Sequence, residues 1–244
     1  MILAAIPVRW GARRFPGKPL APLRGRPVVA WVVEAALAAE RVDRVAVVTD
    51  HPEIGRAAEA AGARAVVLDR PAESGSDRIA HLLEADPEAA GATVVVNVQG
   101  DEPLLESAAI DAAIHAVETS DADVTTLVRP LRPGEDPADP DLVKVAVADD
   151  GRAFWFSRAP IPHGDPTRIH VGLYAYRRAA FDAFVAAPPT RLERTERLEQ
   201  LRILELGRTI RCVEFATRSI GIDTPADLER ADAALDARKP PALH

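Results

Sequence analysis

Cysteine is almost missing from this chain. Cys212 stands alone in 244 residues, which excludes a disulfide framework and a cysteine-built zinc site. Aromatic residues reach only 5%, and Trp10, Trp31 and Trp155 are too scattered to form a platform for stacking bases. Positive charge is also short: 30 Lys and Arg face 37 Asp and Glu, for a net charge of -7. A broad basic face for nucleic acid is therefore not expected, although a local group of arginines could still grip a small anion. No long apolar run is present. The opening MILAAIPVRW carries no basic stretch ahead of its short apolar run, so neither a membrane span nor a secretion signal is expected, and the protein is read as cytoplasmic. Two phosphate signatures are absent as well. Gly11 and Gly17 lie one residue too far apart for a P-loop, Pro19 stands where its hydroxyl would be, and no G-x-G-x-x-G occurs.

What is there begins with alternation. Ile2–Pro7, Val45–Thr49, Arg64–Leu68 and Thr93–Val98 read as short buried strands. Helix-period segments at Pro27–Ala39, after Asp50 up to Gly62, at Asp77–Glu84 and at Glu106–Glu118 separate or follow them. Asp50 is placed to cap the second of these helices, with Pro52 near its start. This rhythm predicts an α/β fold with a doubly wound, mostly parallel sheet. The second half differs. Val143–Ala148 and Ala153–Phe156 flank Asp149-Asp150-Gly151 and read as a β-hairpin among proline-rich loops. Ile169–Tyr176 and Ile210–Phe215 read as strands, with helices at Arg178–Ala187, at Leu192–Leu206 and from Thr224-Pro225 to about Arg238. Lys144 and Arg158, flanking the hairpin, either reach a neighbouring subunit or extend to water. One domain over residues 1–244 is expected, with residues 130–176 as an embedded hairpin subregion.

The first strand empties into Val8-Arg9-Trp10-Gly11-Ala12-Arg13-Arg14-Phe15-Pro16-Gly17-Lys18-Pro19-Leu20. In a doubly wound sheet the carboxyl ends of the strands carry the ligand, so four cations and two glycines there suggest an anion cradle. The plainer alternative is a solvated basic loop. Val98-Gln99-Gly100-Asp101-Glu102-Pro103 follows the most apolar strand and brings Asp101 to the same edge. Asp223 in Gly221-Ile222-Asp223-Thr224-Pro225 precedes a helix, where a capping role competes with metal binding. Magnesium takes one or two carboxylates together with phosphate oxygens and water, a set that Asp101, Asp223 and a triphosphate would supply.

These motifs, in this order, resemble the 3-deoxy-manno-octulosonate cytidylyltransferases (CMP-Kdo synthetases) over about residues 2 to 235. The resemblance is carried by Ile6-Pro7-Val8-Arg9, Arg14 to Leu20, Val48-Thr49-Asp50, Ser74-Gly75-Ser76-Asp77-Arg78 and Val96 to Pro103. Further carriers are Val143-Lys144-Val145, Phe156-Ser157-Arg158-Ala159, His170 to Tyr174, Leu198 to Arg202 and Gly221 to Pro225. The resemblance implies a nucleotide-diphospho-sugar transferase type of fold, CTP as substrate, Mg2+ as cofactor and a homodimer built by the hairpin region. It also implies roles. Arg9 and Lys18 would hold the triphosphate, with Arg14 beside them, and Arg9, Lys18 and Asp101 would form the catalytic set. Ser74, Gly75, Arg78 and Gln99 would contact the nucleoside, Asp101 and Asp223 would hold the metal, and His170, Tyr174, Glu199 and Gln200 would surround the acceptor.

Three departures concern that acceptor. The family's Ser-Thr-Arg run is replaced by Ala12-Arg13-Arg14, so Arg13 adds a cation. The stretch from Pro162 to His170 is shorter than usual, and Glu193-Arg194-Thr195-Glu196-Arg197 is rich in arginine. Less enclosure and more positive charge suit a smaller or more highly charged acceptor than an eight-carbon sugar acid. The sequence thus leans to a small phosphonate acid such as phosphonoformate, with 3-deoxy-manno-octulosonate as the alternative. A non-catalytic nucleotide-binding regulator is the reading from another class, and it is expected to have lost Lys18, Asp101 or Asp223, all of which are present.

Overall fold

The computed structural model describes residues 1–11, 14–163 and 168–236. In chain order the elements are β1 (Ile2–Val8), a 3-10 turn (Lys18–Leu20), β2 (Pro22–Leu23), β3 (Arg26–Pro27), α1 (Val28–Leu37), β4 (Arg44–Thr49), α2 (Pro52–Ala60), β5 (Arg64–Val67), α3 (Gly75–Ala85), α4 (Pro87–Ala90), β6 (Val94–Asn97) and α5 (Ser107–Thr119). The second half adds β7 (Val124–Pro130), β8 (Lys144–Val147), β9 (Ala153–Ser157), β10 (Arg168–Arg177), α6 (Arg178–Ala186), α7 (Arg191–Glu196), α8 (Gln200–Glu205), β11 (Ile210–Glu214) and α9 (Pro225–Asp236). The described residues gather into two compact units, one within residues 1–91, 97–108 and 218–236 and the other within 92–96 and 109–217. None of the described helices is long and apolar enough to cross a membrane.

In the first unit β1 pairs parallel with β4, and β4 parallel with β5, in unbroken register from Leu3 opposite Arg44 to Val8 opposite Thr49. Leu3, Ala4, Ala5 and Ile6 are buried, as the unalternating apolar run of a parallel strand requires. After β6 the chain stays beside β1, because the Val98 amide donates to the Ala5 carbonyl at 3.0 Å. A separate apolar cluster of Leu23, Val28, Leu104, Ile222 and Ala231 ties the segment before α1, the turn after Asp101 and the last helix into one core. That cluster holds the chain around residue 222 against the loop around residue 101.

In the second unit β7 is the central strand. It pairs parallel with β11 and antiparallel with β10, which in turn meets the β8–β9 hairpin. The hairpin is where the Asp-Gly turn placed it, with Gly151 at φ 86°. Strand β7 carries no unbroken apolar run, because Thr125, Thr126 and Arg129 interrupt it. All three are buried. The Thr125 hydroxyl donates to the Ala113 carbonyl at 2.7 Å and Thr126 to that of Leu173 at 2.8 Å, so neither needs water. Lys144 neither leaves the unit nor reaches water: it is fully buried, and its ammonium donates to the carbonyls of Asp139 and Arg158.

The expected single helix over Leu192–Leu206 is two, α7 and α8. Arg197 between them takes a left-handed backbone, φ 57°, and ends α7. Thr190 caps α7 in a box with Glu193, whose carboxylate also receives Arg202 of α8 in two bonds, at 2.8 and 2.6 Å. The same guanidinium donates to the carbonyls of Phe184 and Ala187 and lies 4.5 Å over the Phe184 ring. Both side chains of the pair are more than nine-tenths covered. Removing one partner leaves a buried charge with nothing to balance it. Arg202→Met is expected to lose about 3–5 kcal/mol in urea unfolding, and the double change Arg202→Met with Glu193→Leu to recover most of that loss.

Candidate active site

The phosphate-loop candidate has a definite shape. Phe15-Pro16-Gly17-Lys18 is a tight turn in which the Lys18 amide donates to the Phe15 carbonyl at 3.2 Å, with Gly17 at φ 73° in the position that needs a left-handed backbone. The Gly17 amide closes the loop onto the Trp10 carbonyl at 3.2 Å. Pro19 then stiffens the 3-10 turn that carries Lys18, so the lysine leaves from a rigid base.

The Lys18 ammonium ends among three oxygens. It lies 2.6 Å from Asp101 Oδ2, 2.8 Å from the Ile222 carbonyl and 3.3 Å from Asp223 Oδ1. The Ile222 amide donates to the Asp101 carbonyl at 2.9 Å, and Ser219 and Arg218 bond to the carboxylates of Glu102 and Glu106. The segment before α9 is therefore laced to the turn after β6. Burial pushes the Glu102 carboxyl up to about 7, with the neighbouring acids Asp101 and Glu106 adding and the Ser219 hydroxyl opposing. Asp223 does not cap α9. Asp227 takes that work, accepting from the amides of Asp223 and Thr224, while the Thr224 hydroxyl accepts from the Asp227 amide. Asp223 is left facing the cleft, where Arg14 pairs with it at 2.9 Å.

Arg14, Lys18, Asp101 and Asp223 line a cleft of about 470 Å³ together with Pro7, Val8, Arg9, Ser74, Gly75, Arg78, Gln99 and Gly100. Nine of the expected site residues thus share one cavity: Arg9, Arg14, Lys18, Ser74, Gly75, Arg78, Gln99, Asp101 and Asp223. Ser74 has a structural duty besides. It caps α3 in a reciprocal box with Asp77, which leaves the amino end of α3 at the rim, an end suited to an anion. Gly75 and Gly100 are small for a reason of space. A β carbon at Gly100 would stand 2.6 Å from Val8, and one at Gly75 would stand 3.1 Å from Pro7. Gln99 is steadied by a hydrogen bond from its side-chain Nε2 to Asn97 Oδ1, at 3.1 Å. Arg13 lies outside the described residues. Asp50 supports a member of this group from outside the cleft, although its sequence position suggested only a cap. The cap of α2 is His51, whose ring accepts from the Glu53 amide, and Asp50 instead bonds to Arg78 at 2.8 Å.

The four acceptor-side candidates all belong to the second unit. Gly172 and Leu173 are extra residues in the β10–β7 register, so His170 and Tyr174 fall opposite Val128 and Thr126 with their rings 5.2 Å apart. Thr126 has one hydroxyl proton and gives it to Leu173, so the His170 Nε2 at 3.0 Å is the donor to Thr126. Phe156 meets the His170 ring edge-on, and Tyr176 continues the file beyond Tyr174. Burial raises the Tyr174 hydroxyl well above its usual range, with the charges of Tyr176 and Glu199 adding. Gln200 is buried at the start of α8. Of the arginines that suggested a highly charged acceptor, two are described: Arg197 turns the chain between α7 and α8, and Arg194 is exposed. Residues 164–167, in the stretch whose shortness suggested a smaller acceptor, lie outside the described residues.

Burial lowers His170 from 6.5 to about 4, so its ring is neutral at physiological pH. A histidine with a depressed folded value takes up its proton in the unfolded chain first, so its contribution is complete above pH 6.5 and is lost as pH falls towards about 4. Melting temperatures across that interval should fall less steeply for His170→Asn than for the parent chain. Parallel slopes would mean that His170 titrates normally.

Known proteins resemble this chain over nearly its whole length. The family model for cytidylyltransferases matches residues 3–210. The chain is 49% identical to the 3-deoxy-manno-octulosonate cytidylyltransferase of Anaeromyxobacter sp. (strain Fw109-5), with 97% of each covered. It is 46% identical to the enzyme of that name from Azorhizobium caulinodans, with 96% of this chain and 95% of that one covered. Among solved structures, CMP:2-keto-3-deoxy-manno-octonic acid synthetase complexed with CTP superposes with a TM-score of 0.90 at 35% identity, covering 98% of this chain and 99% of the other. A cleft that collects Lys18, Asp101 and Asp223, in a chain matched nearly end to end by these enzymes, leaves one assignment: this chain is a nucleotidyltransferase of the 3-deoxy-manno-octulosonate cytidylyltransferase (CMP-Kdo synthetase) family.

Proposed function

We propose that the protein transfers CMP from CTP to 3-deoxy-manno-octulosonate with release of pyrophosphate. The observation that carries this reading is the 49% identity, over nearly the whole of both chains, to an enzyme named for that acceptor. The small phosphonate acid is set aside in favour of that likeness; of the arginines that favoured it, Arg197 turns the chain between α7 and α8 and Arg194 is exposed.

In this reading an acceptor hydroxyl oxygen bonds to the α-phosphorus of CTP as the bond from that phosphorus to the pyrophosphate oxygen breaks, and the hydroxyl proton passes to water. Arg9, Arg14 and Lys18 balance the charge that builds on the phosphates, and Arg78, Ser74, Gly75 and Gln99 hold the nucleotide. No covalent nucleophile takes part. Cys212, the sole thiol, is buried and pushed up to about 12.

A magnesium ion fits the donor set. Asp101 Oδ2, Asp223 Oδ1 and the Ile222 carbonyl already converge on one cation, the Lys18 ammonium. Among the described residues no group of three or more His, Cys, Asp or Glu collects. Two carboxylates suit a metal that takes its remaining ligands from phosphate and water. Asp101 and Asp223 would hold it, and it would supply electrostatic stabilisation of the departing pyrophosphate.

Pyrophosphate release tests the proposal. The parent chain with CTP, Mg2+ and 3-deoxy-manno-octulosonate should turn over, and substitution of phosphonoformate should give only background. The opposite pattern sinks the acceptor assignment. Asp101→Asn and Asp223→Asn are each expected to lower kcat by about 100-fold or more, an effect that leaves CTP binding largely in place.

A further inference from the structure

Two walls of the nucleotide cleft meet at a residue outside it. Asp50 follows β4 and lines no part of the cavity. Its two carboxylate oxygens reach in different directions. Oδ1 accepts the backbone amide of Trp10 at 2.9 Å, which lies in the phosphate loop directly after Arg9. Oδ2 accepts from the Arg78 guanidinium at 2.8 Å, on the first turns of α3. The neighbouring residue adds a second hold: the His51 ring stacks on the Trp10 indole with centroids 4.2 Å apart and planes 16° from parallel. Under the same indole lies Gly17, where a β carbon would be 3.2 Å from the ring, and its amide bonds to the Trp10 carbonyl. The loop bearing Arg9 and Lys18 is thus strapped down through Trp10, and the strap is anchored on Asp50-His51.

We infer that Asp50 is a positioning residue for nucleotide binding, fixing the Arg9–Lys18 loop and the Arg78 guanidinium relative to each other so that both face one triphosphate nucleotide. The inference rests on the reading of this cleft as the CTP site. Two loosely held cations on flexible stems would each have to be ordered when the nucleotide arrives; a shared carboxylate orders the loop and the guanidinium beforehand. Arg78 is largely covered, so a nearby anion also stabilises its charge in the wall of the cleft.

The test is CTP binding, measured by calorimetry without acceptor, alongside steady-state kinetics. Asp50→Asn keeps an oxygen for the Trp10 amide and loses the charge facing Arg78. It is expected to weaken CTP binding about tenfold and raise KM for CTP to match. The melting temperature should stay within about 2 °C and kcat at saturating CTP within about twofold. Asp50→Ala, which also frees the Trp10 amide, should weaken binding further and shift tryptophan emission to the red. In the Arg78→Met background Asp50→Asn should add little, because its effect passes through Arg78. Full additivity in that cycle overturns the inference. So does tighter CTP binding in Asp50→Asn, which would mean that the carboxylate only masks the Arg78 charge. Failure of the parent chain itself to bind CTP sinks the reading of the cleft, whereas normal binding in every Asp50 variant sinks this inference alone.

Discussion

The arrangement depends on one contact, the Lys18 ammonium held among Asp101, Asp223 and the Ile222 carbonyl. The three segments involved are distant in sequence: the loop after β1, the turn after β6 and the stretch ahead of α9. Two aspartates facing each other across a cleft repel, and a cation between them turns that repulsion into a restraint. The apolar cluster of Leu23, Leu104 and Ile222 does the same work without charge, packing the three segments on their inner side. The site therefore rests on an ordinary hydrophobic core below and an ion cluster above.

The first unit also shows how helix capping decides which acids are free. At α2 and at α9 an aspartate just ahead of the helix could have been consumed by the amino-terminal amides. In both places a neighbour takes the amides instead. His51 does so at α2, and Asp227 with Thr224 does so at α9. Asp50 and Asp223 then point at cations of the cleft, Arg78 for the first and Lys18 and Arg14 for the second. Ser74 shows the opposite case. It accepts from the Asp77 amide as a cap and lines the cleft as well.

These cases mark what could be read from the residues alone. The parallel strands of the first unit, the Asp-Gly hairpin and nine residues that line one cleft were legible because period, turn chemistry and motif order are local properties. Strand β7 was not, since its threonines look polar until their hydroxyls find the carbonyls of Ala113 and Leu173. The break at Arg197 was hidden for a similar reason: nothing local marks a left-handed arginine inside a helical pattern, and the buried Arg202–Glu193 pair that accompanies it is a tertiary feature. The role of Asp50 was missed because the sequence offered a satisfactory local use for it. Its partners lie 40 residues before it and 28 after.

The central claim is that Asp101 and Asp223 form one cation site shared with the triphosphate. The most direct measurement is a crystal structure of the protein soaked with CTP and Mn2+, read by anomalous scattering. The account predicts a manganese peak about 2.1–2.2 Å from an oxygen of each carboxylate and of the triphosphate, with Lys18 turned to phosphate. A peak touching the phosphates alone, with Lys18 still seated between the two aspartates, would contradict it.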